Sequence, residues 1–250
     1  DPRGFDAVRD LYGFLARHQD HYEGDASAAN VAVVYSLETL FFFGQDQPER
    51  RYVDEIRGIE RALHEAHVPF DIISTRVLEK AVEDGRYRVL ILPTLACMTE
   101  AEAAAIRRFV EGGGSVVATF ETSLYDRRGA RRSEFLLSDL LGATYAGETR
   151  SSMESPEEGY KQVYMQIVER HPILADSVGT SVLPMGGDYC VVVAGEGTGV
   201  PLTLSAPFIV FPEGFSYPKR PAPGDPLAVI REHPGGGRTV YFTGGLGALY

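Results

Sequence analysis

Residues 87–121, YRVLILPTLACMTEAEAAAIRRFVEGGGSVVATFE, constrain the fold more than any other stretch of the chain. Val89, Leu90, Ile91 and Leu92 form an unbroken apolar run, and Thr99 with Glu102 has the spacing of a helix-starting capping box. Ala105, Ile106, Phe109 and Val110 then repeat at helical spacing, Gly112, Gly113 and Gly114 stop the helix, and residues 116–120 are apolar again. The pattern is strand, helix, strand. Neither strand alternates apolar with polar residues, so both are expected to be covered on both faces, as in a parallel sheet of an α/β domain.

The flanking sequence extends this unit in both directions. Residues 31–36 (VAVVYS) read as a first buried strand, residues 52–67 as a helix with Val53, Ile56, Ile59, Leu63 and Ala66 inward, residues 70–73 as a strand and residues 77–82 as a short helix. That order predicts a flavodoxin-like, doubly wound sheet closed by a short helix over residues 136–141. From residue 143 the helices stop. Residues 160–168, 189–194, 201–204, 208–211, 227–231 and 239–243 read as strands separated by Gly, Pro and polar turns, so this part is expected to be largely antiparallel. Pro212, Pro218, Pro221, Pro223 and Pro226 predict an extended excursion outside the sheet. Residues 5–22 carry Phe5, Val8, Leu11, Tyr12, Leu15 and Ala16 along one face of an amphipathic helix. We therefore expect a connector over residues 1–30, leading from a domain that precedes this stretch, and an α/β domain over residues 31–250.

A formal net charge of −11 argues against phosphate backbones and anionic membranes as partners, because both call for clustered Lys and Arg. The one concentrated basic run, DRRGARR at residues 126–132, is flanked by acids and reads as a solvated loop. No apolar stretch reaches the roughly 20 residues that a membrane-spanning helix needs. The two cysteines, Cys97 and Cys190, lie far apart in apolar surroundings, which suggests a reducing, cytoplasmic setting rather than a disulfide framework. The histidine pairs His18/His21 and His64/His67 lack metal-ligand spacing, and the two GGG runs lack a phosphate-binding pattern. No metal or cofactor is expected.

Candidate chemistry gathers where strands of an open α/β sheet end, the edge at which such folds bind ligands. Ser36 and Glu38 follow the first strand, Thr94 the third, and Glu121, Thr122, Ser123, Tyr125 and Asp126 the fourth. These residues are candidates for a pocket or a domain contact, with Glu38 and Glu121 as a candidate acid–base pair. Phe41, Phe42 and Phe43, in the loop LETLFFFGQDQP, are too crowded for all three rings to be covered by one face, which points either to a partner or to a loop folded back on its own sheet. Cys97 falls just past a strand and two residues before a helix cap, where the helix dipole can lower a thiol pKa. Class I glutamine amidotransferases place a nucleophile in a glycine-lined G-x-C-x-G elbow. Here the flanks are Leu95, Ala96, Met98 and Thr99, and His171 and His233 are each followed by Pro. A structural cysteine is the preferred reading, and a Cys97-dependent hydrolase or amidotransferase the alternative.

VAVVYS, the aromatic loop after it, residues 91–126 and the terminal GGGRTVYFTGGLGALY together resemble the β-galactosidase trimerisation domain. This is the glutamine-amidotransferase-like module that follows the TIM barrel in family 42 glycoside hydrolases. The resemblance covers residues 31–250 and is strongest over residues 87–126 and the last strand; the proline-rich stretch departs from it. It implies a class I glutamine-amidotransferase-like three-layer sandwich without a working triad. It also implies a TIM-barrel domain upstream carrying the catalytic acid and nucleophile, and a homo-oligomer, a trimer in the family's name. No residue of this stretch is then catalytic, Cys97 marks a degenerate nucleophile position, and the Phe41–Phe43 loop becomes a contact surface. Carbohydrate binding at the ETSLYD edge is a third reading, in which Tyr and Phe replace the absent Trp.

Overall fold

The computed structural model describes residues 2–151, 161–162, 164–205, 208–209 and 222–247. Its centre is a nine-stranded sheet in the order β2-β1-β3-β4-β13-β12-β10-β7-β8. Strands β1 (Val31–Tyr35), β2 (Phe70–Ser74), β3 (Val89–Leu92), β4 (Ser115–Thr119) and β13 (Arg238–Phe242) run parallel. On the far side of β13 follow β12 (Pro226–Glu232), β10 (Gly199–Leu204), β7 (Tyr164–Ile167) and β8 (Val182–Pro184), all antiparallel. The antiparallel part therefore continues the parallel one within a single sheet.

The apolar runs of the parallel strands serve two cores, as their lack of alternation predicts. Val31 and Val33 pack with Tyr52, Ile56 and Ile59, which belong to helix α2 (Asp54–Glu65) and the π-helical turn Glu49–Val53 before it. Ala32 and Val34 face the opposite way, toward Leu78 of α3 (Leu78–Glu83) and Ala103, Ile106 and Phe109 of α4 (Glu100–Glu111). The capping box at Thr99 is present: Glu102 N donates to Thr99 Oγ1 at 3.2 Å and Thr99 N to Glu102 Oε2 at 2.7 Å. Helix α5 (Ser138–Leu141) closes the second core, and a smaller cluster around Leu202, Leu204 and Leu227 supports the antiparallel strands.

Several expectations need correction. Residues 37–48 are not simply a loop but contain a π-helical turn, Thr39–Phe43. Ala66 is exposed rather than inward, because α2 ends at Glu65. The strand expected over residues 160–168 is represented by β6 (Lys161–Gln162) and β7. A long strand, β5 (Ala143–Ser151), went unrecognised; it pairs with β9 (Asp188–Ala194) as a separate ribbon. Pro226 opens β12, a first-residue position that costs no ladder hydrogen bond, whereas Pro212, Pro218 and Pro221 lie outside the described residues. Helix α1 (Pro2–Arg17) forms as expected, yet Phe5, Val8, Leu11 and Tyr12 are all exposed on it.

Candidate functional site

The residues singled out from the sequence converge on the carboxyl edge of β1, β3 and β4, and most turn inward. Ser36 N donates to Tyr52 Oη at 2.8 Å, and Ser36 Oγ accepts from Thr39 N at 3.1 Å. Thr94 N donates to Thr119 Oγ1, Thr122 Oγ1 bridges Leu95 N to the carbonyls of Leu92 and Thr119, and Ser123 Oγ accepts from Leu137 N. These hydroxyls hold the strand-to-loop bends together. They are therefore not free to line a pocket, because buried backbone groups near the bends require them as partners.

Cys97 is 1% exposed and packs with Phe43, Ala96, Phe120 and Tyr125. Burial pushes its thiol up to about 11, the Thr39 hydroxyl opposes this only in part, and the nearby carboxylates Asp126 and Glu38 disfavour a thiolate further. Desolvation at this buried position opposes any lowering that the α4 terminus would supply. Among the described residues no imidazole stands among the groups acting on this thiol. Nor does Cys97 itself have positive φ. Positive φ falls on Thr94 (44°), Phe120 (48°) and Ser123 (67°), so the strained positions carry no thiol. Iodoacetamide is expected to label Cys97 in the folded protein far more slowly than free cysteine near neutral pH, with rapid labelling only in denaturant. Labelling of the native protein at the free-cysteine rate would contradict this environment.

A polar cluster has formed beside it. Glu121 is 5% exposed; its Oε1 accepts from Arg131 Nη2 at 2.7 Å and Thr149 Oγ1 at 3.2 Å, and its Oε2 from Tyr125 Oη at 3.2 Å. The same guanidinium also donates to Tyr145 Oη. Burial raises the Glu121 pKa, while Arg131 pulls it back. Glu38 instead meets Arg127 at 3.5 Å. The two carboxylates proposed as an acid–base pair are thus each matched to a separate arginine of the run expected to be merely solvated.

Phe43 is buried at 2% exposure, with its ring 5.2 Å from that of Tyr125 and Arg51 lying 4.5 Å over it. That anchoring turns Phe41 and Phe42 outward, at 67% and 47% exposure. Phe43 is therefore not part of any contact surface, although its two neighbours are available.

Sequence reasoning passed over Glu55, the other buried carboxylate at this edge. It is 4% exposed and accepts from Thr119 Oγ1 (2.8 Å), Leu246 N (3.0 Å) and Gly247 N (2.8 Å). The loop after β13 is thereby strapped across α2. Its only sequence signal was an acid on the inward face of an amphipathic helix. Among the described residues no group of three His, Cys, Asp or Glu is arranged to hold a metal ion. Nor is any helix among them long and apolar enough to cross a membrane.

Comparison with known proteins places this architecture. The profile of the family described as the beta-galactosidase trimerisation domain matches residues 29–162. The β-galactosidase GalA of Bacillus licheniformis is 29% identical over 101 residues, which make up 39% of this chain and 14% of that enzyme. The crystal structure of β-galactosidase from Bacillus circulans sp. alkalophilus superimposes with a TM-score of 0.65 at 19% identity, covering 92% of this chain and 30% of its own. The α-L-fucosidase isoenzyme 2 of Paenibacillus thiaminolyticus gives 0.59 at 19% identity, over 96% and 32%. This chain thus spans less than a third of these relatives, and at such identities the structural likeness is one of fold. Since the profile accounts for more than half of its length, the chain belongs to the β-galactosidase trimerisation domain family.

Proposed function

We propose that this chain is a non-catalytic assembly or active-site-shaping domain of a β-galactosidase-like glycoside hydrolase, whose catalytic acid and nucleophile lie on a TIM barrel elsewhere in the polypeptide. The observation that carries the reading is the state of Cys97, a buried thiol, packed among Phe43, Ala96, Phe120 and Tyr125, with its pKa raised to about 11 and no positive φ at its own position. The strand order β2-β1-β3-β4-β13 is that of flavodoxin-like sheets, and it supports a class I glutamine-amidotransferase-like scaffold that has lost its nucleophile. The exposed apolar residues of α1 favour residues 1–30 as the connector to the barrel, with residues 31–250 as the domain proper. Two free, buried thiols are compatible with a cytoplasmic location.

The test uses the full polypeptide. Static light scattering is expected to find an oligomer, and Cys97→Ser is expected to hydrolyse a chromogenic galactoside as the wild type does. A monomeric full-length protein, or loss of hydrolysis in Cys97→Ser with the fold intact, would remove the reading.

A further inference from the structure

Between β7 and β8 the chain leaves the sheet and returns through a loop that is tied shut. Ile167 N donates to Ser181 O at 2.9 Å across its mouth, and the Arg170 guanidinium spans its interior, Nη1 donating to Ser177 O and Nη2 to Thr180 O, each at 3.0 Å. The 3₁₀ turn Pro172–Leu174 is capped by His171, whose Nδ1 accepts from Ile173 N at 3.3 Å. Leu174, buried, plants the loop in the apolar cluster of Leu202, Leu204 and Leu227. Held at these points, the loop curls around an open bowl of about 510 Å³, lined by Arg170, His171, Pro172, Leu174, Ala175 and Val178. That volume lies within the range of small-molecule sites. Because β7 runs opposite to the parallel strands, the bowl lies at their amino edge, away from Cys97 and Glu121.

The lining is of two kinds. Pro172, Ala175 and Val178 form an apolar wall, and Val178 is 87% exposed although the loop that carries it is fixed. The other side offers donors only. With Nδ1 of His171 accepting, a neutral ring carries its proton on Nε2, and neither that nitrogen nor Arg170 Nε has a partner among the described residues. Arg170 bonds to carbonyls and, among the described residues, to no carboxylate, although Glu169 and Asp176 are exposed in the same loop. Neutral carbonyls satisfy its N–H groups but leave its full charge without a counterion. No side-chain acceptor lines the bowl, so a metal cation has no ligands there, and a sugar finds donors without side-chain acceptors. We propose that this bowl binds a small organic acid, whose carboxylate meets Arg170 and His171 while a single-ring or short-chain hydrocarbon body lies on Pro172 and Val178. Charge-assisted hydrogen bonds to the carboxylate are the stronger part of such a contact. The loop is arranged before the ligand arrives, so little ordering opposes binding. The site is independent of the assembly reading.

A ligand-observed NMR titration of the full-length protein with 3-phenylpropionate tests this. The wild type is expected to bind it with a dissociation constant of about 1 mM or below. Acetate, which lacks the ring, and 3-phenylpropionamide, which lacks the charge, are each expected to bind at least roughly tenfold more weakly. Val178→Asp removes part of the wall and adds a like charge, and is expected to weaken 3-phenylpropionate by at least roughly tenfold. Its melting temperature should match that of the wild type, because the side chain is exposed. Arg170→Gln keeps a donor for one of the loop carbonyls and is expected to abolish the preference for the acid over the amide. Should Arg170→Gln disturb the loop, Val178→Asp still decides the matter. The proposal is overturned by an absence of binding up to about 10 mM, by equal affinity of the wild type for acid and amide, or by binding that Val178→Asp leaves unchanged.

Discussion

Glu55→Ala is expected to lower the unfolding free energy by about 3–5 kcal/mol, a large fraction of a typical domain's stability. The side chain accepts three hydrogen bonds in a site where it is only 4% exposed. Each buried donor left without an acceptor costs about 1–3 kcal/mol. The Thr119 hydroxyl can turn toward Thr94 Oγ1, 3.5 Å away, and recover part of its loss. Leu246 N and Gly247 N have no such freedom, because the backbone that carries them is pinned on α2. Glu55→Gln keeps one acceptor oxygen and is expected to lose about half as much. Urea denaturation monitored by circular dichroism measures both, and a loss below about 1 kcal/mol for the alanine variant would show that the strap is energetically idle.

The second large effect is expected at Gly58, in the middle of α2, where two tendencies oppose each other. Helix propensity alone favours Ala over Gly by about 1 kcal/mol. Yet a Cβ at this position would stand 1.9 Å from Gly247 O and 2.5 Å from Gly247 Cα. Those are backbone atoms, with no rotamer to change, so the crossing loop must lift from the helix and release Leu246 N and Gly247 N from Glu55. Sterics win, and Gly58→Ala is expected to destabilise by about 3 kcal/mol, close to the cost of losing the strap itself. Because both substitutions free the same segment, the double variant Glu55→Ala/Gly58→Ala should fall well short of the sum of the singles. A stabilised Gly58→Ala protein would contradict the close crossing.

What the sequence made legible follows the range of the signal. The strands β1, β3 and β4, the Thr99–Glu102 cap and the apolar stripe of α4 are written in contiguous residues, and they appear where expected. Residues 143–151, ATYAGETRS, gave no strand signal because Thr144, Ala146, Gly147 and Glu148 are exposed and leave little to alternate against. Glu55 looked like one more acid on an amphipathic helix, since its partners Leu246 and Gly247 lie 191 and 192 residues away. At Cys97 a helix-terminus argument reads only the local dipole and not the desolvation that Phe43 and Tyr125 impose from distant segments. Arg131 was hidden for the same reason: a run of arginines looks solvated until Glu121 is folded beneath it.

The position of β13 also bears on synthesis. It lies between β4 and β12 and pairs with both, through Thr239–Phe242 beside Val116–Thr119 on one side and Arg238–Phe242 on the other. On the ribosome, β4 therefore waits for a neighbour encoded about 120 residues later, a delay on the order of ten seconds at usual translation speeds. Throughout that interval its outer ladder of peptide groups stays open to any passing strand, which makes chaperone engagement of the nascent chain most valuable between the emergence of residue 119 and that of residue 238.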